Sequence, residues 1–113
     1  MIAPLDPHIF GVCLDTGHLN LHEDRDPYRF IISAGNRLHA LHIADNEGAS
    51  DQHLMPFGRG SVDFSAVVKG LREIGYEGLF NYEIPGERNA PLAIRGYKLQ
   101  YIKQCYDHLM AQD

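Results

Sequence analysis

The chain has 113 residues, with ten Lys and Arg against fifteen Asp and Glu, a net charge of -5 and an ordinary 44% of hydrophobic residues. That length suits one domain, residues 1–113, built on a single core. The acidic balance argues against a nucleic-acid-coating surface, and no stretch approaches the roughly 18 apolar residues of a membrane span. The opening "MIAPLDPHIF" lacks the charged and apolar regions of a secretory signal. Cys13 and Cys105 form no CxxC, and free thiols in a cytoplasmic protein are the expectation.

The elements alternate along the chain. "IFGVCLD" (9–15) reads as a first strand, and "DPYRFIISAGN" (26–36) as a helix with Asp26 at its N-cap and Pro27 in its first turn. "LHALHIAD" (38–45) is the second strand, followed by a Gly- and Asp-rich loop from Asn46 to Gly60. Asp63 caps the next helix, in which Phe64, Val67, Val68, Leu71 and Ile74 repeat along one face, and Gly75 supplies the stop. "GLFNYEI" (78–84) is the third strand. Pro91 opens a long last helix whose apolar stripe is Ile94, Tyr97, Tyr101, Ile102, Cys105 and Leu109. Strands alternating with helices imply an α/β fold with parallel pairing and right-handed crossovers.

Period-2 alternation orients the strands. Gly11, Cys13 and Asp15 share a face opposite Phe10, Val12 and Leu14; Leu38, Ala40 and His42 lie opposite Leu41 and Ile43; Leu79, Asn81 and Glu83 lie opposite Phe80, Tyr82 and Ile84. The bulky faces suit packing under helices. The other faces end in an Asp, a His and a Glu, so three neighbouring parallel strands aim Asp15, His42 and Glu83 at one spot. Singly, each has a plainer reading as a turn cap, a hydrogen-bonded core histidine or an arginine partner. Together, at equivalent positions in successive units, they point to a divalent cation, because a buried carboxylate needs compensation. Two carboxylates and an imidazole suit Mn²⁺, Mg²⁺, Co²⁺ or Zn²⁺ without choosing among them.

His18, three residues past Asp15, is placed to donate to a substrate oxygen or to ligate a second ion. Asp51 and His53 can point at the same site from an extended segment, Gly58 and Gly60 let the backbone turn back, and Arg59 can hold an anionic or hydroxyl-rich ligand. The alternative for this loop is simple solvation. Asp45 either caps the loop or orients His42. No GxGxxG, P-loop, GxSxG or HExxH occurs, which removes dinucleotide, nucleotide, serine-hydrolase and zincin readings.

"GVCLDTGH", "LHIADNEGASDQHLMPFGRGSVDF" and "LREIGYEGLFNYEI" resemble the last three βα units of the xylose isomerase-like TIM barrels, which include sugar-phosphate isomerases, ketose 3-epimerases and apurinic endonuclease-type members. The resemblance implies a (βα)₃ piece of a (β/α)₈ barrel, since a full barrel takes eight strands and about 250 residues. It implies metal ligands at Asp15, His42 and Glu83, with Asp51 and His53 where the endonuclease-type members have a further Asp-x-His metal pair. It also implies catalytic roles for Glu83 and His18 and substrate contacts from His18, His53 and Arg59. The fifth-strand Glu that works opposite Glu83 in the epimerases has no counterpart here. The expected function is a metal-dependent isomerase or epimerase of a small sugar or sugar phosphate, moving a proton through a metal-stabilised enediolate. The chain is expected to act as a homo-oligomer or as a fragment of a larger chain. The alternatives are a non-catalytic remnant, a related lyase or dehydratase, and an endonuclease-like phosphodiesterase.

Overall fold

The computed structural model describes residues 2–112. Strands β1 (Val12–Asp15) and β2 (Leu38–His42) pair in parallel, with Cys13 opposite Ala40, Leu14 opposite Leu41 and Asp15 opposite His42. Between them lie a single helical turn, α1 (Thr16–Leu19), and the helix α2 (Pro27–Ala34), which ends in a 3₁₀ turn over Gly35–Arg37. Helices α3 (Phe64–Glu73) and α4 (Leu92–Ala111) follow.

The expected third strand, 78–84, contracts to one parallel bridge, Ile43 to Tyr82. Ile43 N donates to Asn81 O at 2.7 Å and Glu83 N donates to Ile43 O at 2.9 Å, so the segment lies where a third strand would. Among the described residues no strand lies beyond it, and Pro85 comes close behind, so the ladder is not extended. Its alternation is as expected: Phe80 and Tyr82 pack on the core while Leu79 is 83% exposed.

The first strand is also shorter than expected. Ile9 and Phe10 sit in a turn, their amides donating to Asp6 O at 3.1 and 2.8 Å, and Phe10 is exposed instead of packed beneath a helix. Arg37 straps this segment down, its Nη2 donating to the carbonyls of Ala3 and Leu5 at 2.9 Å each. Leu38 departs from the alternation for a separate reason. A register shift makes His39 an extra residue in β2, so Leu38 joins Leu41 in the core while Ala40 and His42 face outward.

The helices begin where their caps dictate. Asp26 Oδ1 accepts from Arg29 N at 3.2 Å and Asp63 Oδ1 from Ala66 N at 2.9 Å. At the end of α3, Gly75 takes φ +66 and Tyr76 N donates back to Leu71 O at 2.9 Å. Ile31, Leu14, Leu38, Leu41, Ile43, Phe64, Val67, Val68, Leu71 and Leu109 form one core between the strands and the helices. Gly70 lets α3 approach α2 closely, since a methyl there would lie 3.1 Å from the Ile31 side chain.

The stripe expected on α4 is buried only at its C-terminal end. Cys105 and Leu109 are covered, but Ile94, Tyr97 and Tyr101 are exposed, as are Leu92 and Leu99. A helix of 20 residues is about 30 Å long, whereas a five-residue strand spans about 17 Å. The first half of α4 therefore outruns α3 and the short strands, and has no helix or strand to pack on among the described residues. Both cysteines are free, and among the described residues no helix is long and apolar enough to cross a membrane. Leu109→Ala should cost about 2–5 kcal/mol of stability, and Leu99→Ala should stay within about 0.5 kcal/mol. Urea unfolding of the two variants against the parent measures the contrast.

Candidate metal centre

Parallel pairing sets Asp15 directly beside His42, and the Ile43–Tyr82 bridge brings Glu83 up on the other side. His42 Nδ1 lies 3.2 Å from Glu83 Oε2 and 3.9 Å from Asp15 Oδ2. One candidate ligand atom from each residue lies within 4.8 Å of the other two. Asp15 is the most enclosed of the three. Its Oδ1 caps α1 by accepting from His18 N at 2.9 Å, while its Oδ2 is buried with no hydrogen-bond partner. A buried charged oxygen left bare costs at least about 1–3 kcal/mol. A cation among these three groups would remove that cost, so the donor set fits a divalent metal with two oxygens and one nitrogen.

A second cluster lies beside the first. His18 Nε2 and His53 Nε2 approach the same oxygen, Asp51 Oδ2, at 3.1 and 3.2 Å, and these three residues also offer ligand atoms within 4.8 Å of one another. His53 Nδ1 faces the Glu83 carbonyl oxygen at 2.8 Å, which can only accept, so Nδ1 carries a proton. A neutral His53 would then turn a lone pair toward Asp51 Oδ2. The contact is favourable only if Nε2 also carries a proton or a cation sits between the two atoms. His53 holds a left-handed backbone, φ 50, to make this approach. The two clusters touch through His18, whose Nδ1 is 3.5 Å from Asp15 Oδ2.

Arg59 stands apart from these contacts. Its side chain is exposed, with Nε 3.5 Å from Glu47 Oε2. Asp45 takes the loop-capping role of its two expected ones: it is 2% exposed and accepts from Asn46 N at 2.8 Å and Val62 N at 3.0 Å. Burial pushes its carboxyl pKa up, against the backbone donors that pull it down. Gly60 serves this contact and not a left-handed turn, because a methyl there would overlap the Asp45 carboxyl. The left-handed positions of the loop are instead Gly48, His53 and Phe57.

Without metal, His53 and Asp51 shift in opposite directions. The hydrogen bond to the Glu83 carbonyl, together with Asp51, raises His53 above its ordinary value despite partial burial. Burial raises Asp51, but the bond from His18 and the charges of both imidazoles outweigh it and hold the group low. The raised histidine contributes stability below its unfolded pKa and loses it as pH rises through the folded one. The lowered carboxylate contributes above its unfolded pKa and loses it as pH falls through the folded one. Their joint contribution is therefore greatest between the ordinary carboxylate and imidazole values of 3.8 and 6.5. NMR titration of metal-free protein should find His53 above 6.5, with Asp51→Asn bringing it only part of the way back because the Glu83 carbonyl remains.

The xylose isomerase-like TIM barrel family matches residues 1–105. The chain is 41% identical over 78 residues to the uncharacterized protein y4fM of Sinorhizobium fredii, covering 69% of this chain and 24% of that protein. A ketose 3-epimerase of Arthrobacter globiformis is 36% identical over 73 residues, covering 65% and 23% respectively. A mannonate dehydratase of Oceanobacillus iheyensis is 32% identical over 72 residues, covering 60% and 21%. A D-tagatose 3-epimerase-like protein of known structure superimposes with a TM-score of 0.61 at 28% identity, over 89% of this chain and 37% of that one. The chain thus spans about a quarter of these curated relatives, and its unclosed parallel sheet is a partial barrel. On the family match and the fold together, the chain belongs to the xylose isomerase-like TIM barrels.

Proposed function

We propose that the chain carries the cation-binding part of a sugar or sugar-phosphate epimerase or isomerase. The observation that supports this most is the buried Oδ2 of Asp15, without a hydrogen-bond partner, in a group whose Asp15, His42 and Glu83 ligand atoms lie within 4.8 Å of one another. Asp15, His42 and Glu83 would hold one divalent ion, which when bound supplies Lewis-acid polarisation of a neighbouring carbonyl. Glu83 is the proton carrier. It is about half exposed, so a substrate carbon can reach the carboxylate oxygen that does not face His42. His18 would donate to a sugar hydroxyl, with His53, held by the Glu83 carbonyl and Asp51, behind it, and a groove of about 650 Å³ opens beside Asp15, His18 and His22 to admit the sugar. An epimerase needs a second proton carrier on the opposite face of that carbon, which further strands of the barrel would supply. Those strands belong either to a longer chain or to a neighbouring copy, and the function is set in the cytoplasm.

The test is hydrogen exchange into ketoses. With Mn²⁺ or Co²⁺ present, the protein should catalyse uptake of deuterium from D₂O at the carbon beside the ketose carbonyl. Glu83→Gln, which keeps a ligand oxygen but cannot take a proton, should lower that rate at least about 100-fold, and His42→Ala should lower metal affinity. Bound metal with no exchange in any ketose or aldose would count against the epimerase reading and leave a non-catalytic remnant.

One observation favours a second reading. The close approach of His18 Nε2 and His53 Nε2 to one Asp51 oxygen, which with His53 neutral sets two lone pairs face to face, suits a second cation at His18, Asp51 and His53, as in a multi-metal phosphodiesterase. Elemental analysis separates the two, since two or three zinc ions per chain favour the phosphodiesterase and one favours the epimerase.

A further inference from the structure

Asn46 is fully buried, yet nothing in the apolar core requires an amide there. Every polar atom it has is engaged. Its backbone N donates to Asp45 Oδ1 at 2.8 Å, and its backbone O accepts from Ser61 N at 2.8 Å. Its side-chain Oδ1 accepts from Asn20 Nδ2 at 2.8 Å and Gly48 N at 2.9 Å, and its Nδ2 donates to Gly17 O at 2.8 Å. Asn20 Nδ2 reaches on to Ser61 Oγ at 2.9 Å.

Gly17 and Gly48 are the informative partners. Gly17 is the centre of α1, the four-residue turn with Asp15 as its N-cap and His18 as its third residue. One turn of helix does not hold its own shape in water, so its orientation comes from what grips it. Gly48 begins the excursion that carries Asp51 and His53. A single carboxamide therefore ties the turn bearing one set of candidate ligands to the loop bearing the other. The fit is close, since a methyl on Gly17 would stand 3.3 Å from both Asn46 Nδ2 and Asp15 Oδ1.

We propose that Asn46 is a positioning residue for both ligand clusters: by holding the Gly17 carbonyl and the Gly48 amide at once, it turns Asp15 toward His42 and Glu83 and His18 toward Asp51. The inference goes beyond the epimerase reading and rests on it only for the cation measurement below.

Asn46→Asp tests it. The variant keeps the oxygen that Asn20 and Gly48 use but presents an acceptor to the Gly17 carbonyl. Co²⁺ affinity should fall about 10–100-fold, the usual effect of losing a group that orients a ligand, and the visible cobalt spectrum should change. The added negative charge alone would strengthen cation binding, so the sign separates positioning from electrostatics. In metal-free protein, amide exchange at His18, whose N–H bonds Asp15 Oδ1, should accelerate at least about tenfold while Val67 and Val68 in α3 stay protected. Should those α3 amides lose protection, Asn46→Ser takes its place, having no atom able to reach Gly17. Ser61→Ala removes a hydroxyl of the same network that reaches α1 only through its C-capping Asn20 and leaves the bond to the Gly17 carbonyl in place, so it should move both readouts far less than the Asn46 variant. An unchanged His18 exchange rate in the Asn46 variant, or an equal loss of cobalt affinity in Ser61→Ala, overturns the proposal. A parent protein that takes up no cobalt defeats the cation reading alone, and the exchange rates still decide the role of Asn46.

Discussion

Asp15 ends β1 with one carboxylate oxygen spent on capping α1 and the other enclosed without a donor. The rest of the site is arranged around that oxygen, which His18 Nδ1 approaches to 3.5 Å and His42 Nδ1 to 3.9 Å. Parallel register puts His42 beside it, and the bridge from Ile43 to Tyr82 places Glu83 within 3.2 Å of His42. The core beneath, from Leu14 through Ile43 to Val67, Val68 and Leu109, holds these backbones in register. The polar layer of Thr16, Asn20, Asp45 and Asn46 holds the loops above them. Thr16 belongs to the same lock, its hydroxyl donating to Ala44 O at 2.7 Å while accepting from Ala44 N at 3.1 Å.

The features legible in the sequence were those fixed by local chemistry. Asp26 and Asp63 cap the helices they precede, and the face of Phe64, Val67, Val68 and Leu71 is the buried one, because cap and period act within a few residues. The outward set Asp15, His42 and Glu83 was legible too, since each stands at the tip of an alternating segment. Leu38 was not, because a single extra residue in β2 reverses a side chain without changing composition. The exposed half of α4 was misread for a different reason. An apolar stripe records what a helix face was built to meet, and of this stripe the chain buries only Cys105 and Leu109.

Local reading also missed α1 and the buried asparagines. The run "DTGHLN" contains a cap and its turn, but Thr, Gly and Asn are poor helix formers and read as loop. Their burial depends on Ala44, Asn46 and Ser61, 26 or more residues away, a separation that no window of local periodicity spans. The pairing of His18 with Asp51 is likewise a contact across 33 residues.

Binding and turnover place different demands on such a site. All three groups of the first cluster, and all three of the second, lie between residues 15 and 83 and are held by contacts made within this chain. On the proposed reading, cation affinity would therefore be a local property of this α/β unit. Epimerisation would not be, because it needs proton carriers on both faces of one carbon and Glu83, in the proposed role, would serve a single side. The free edges of β1 and of segment 78–84, and the exposed Ile94, Tyr97 and Leu99 of α4, are where additional barrel strands and helices would pack. The division is physical: neighbouring strands suffice to gather ligands around an ion, whereas opposing groups across a substrate require the sheet to curve round and close.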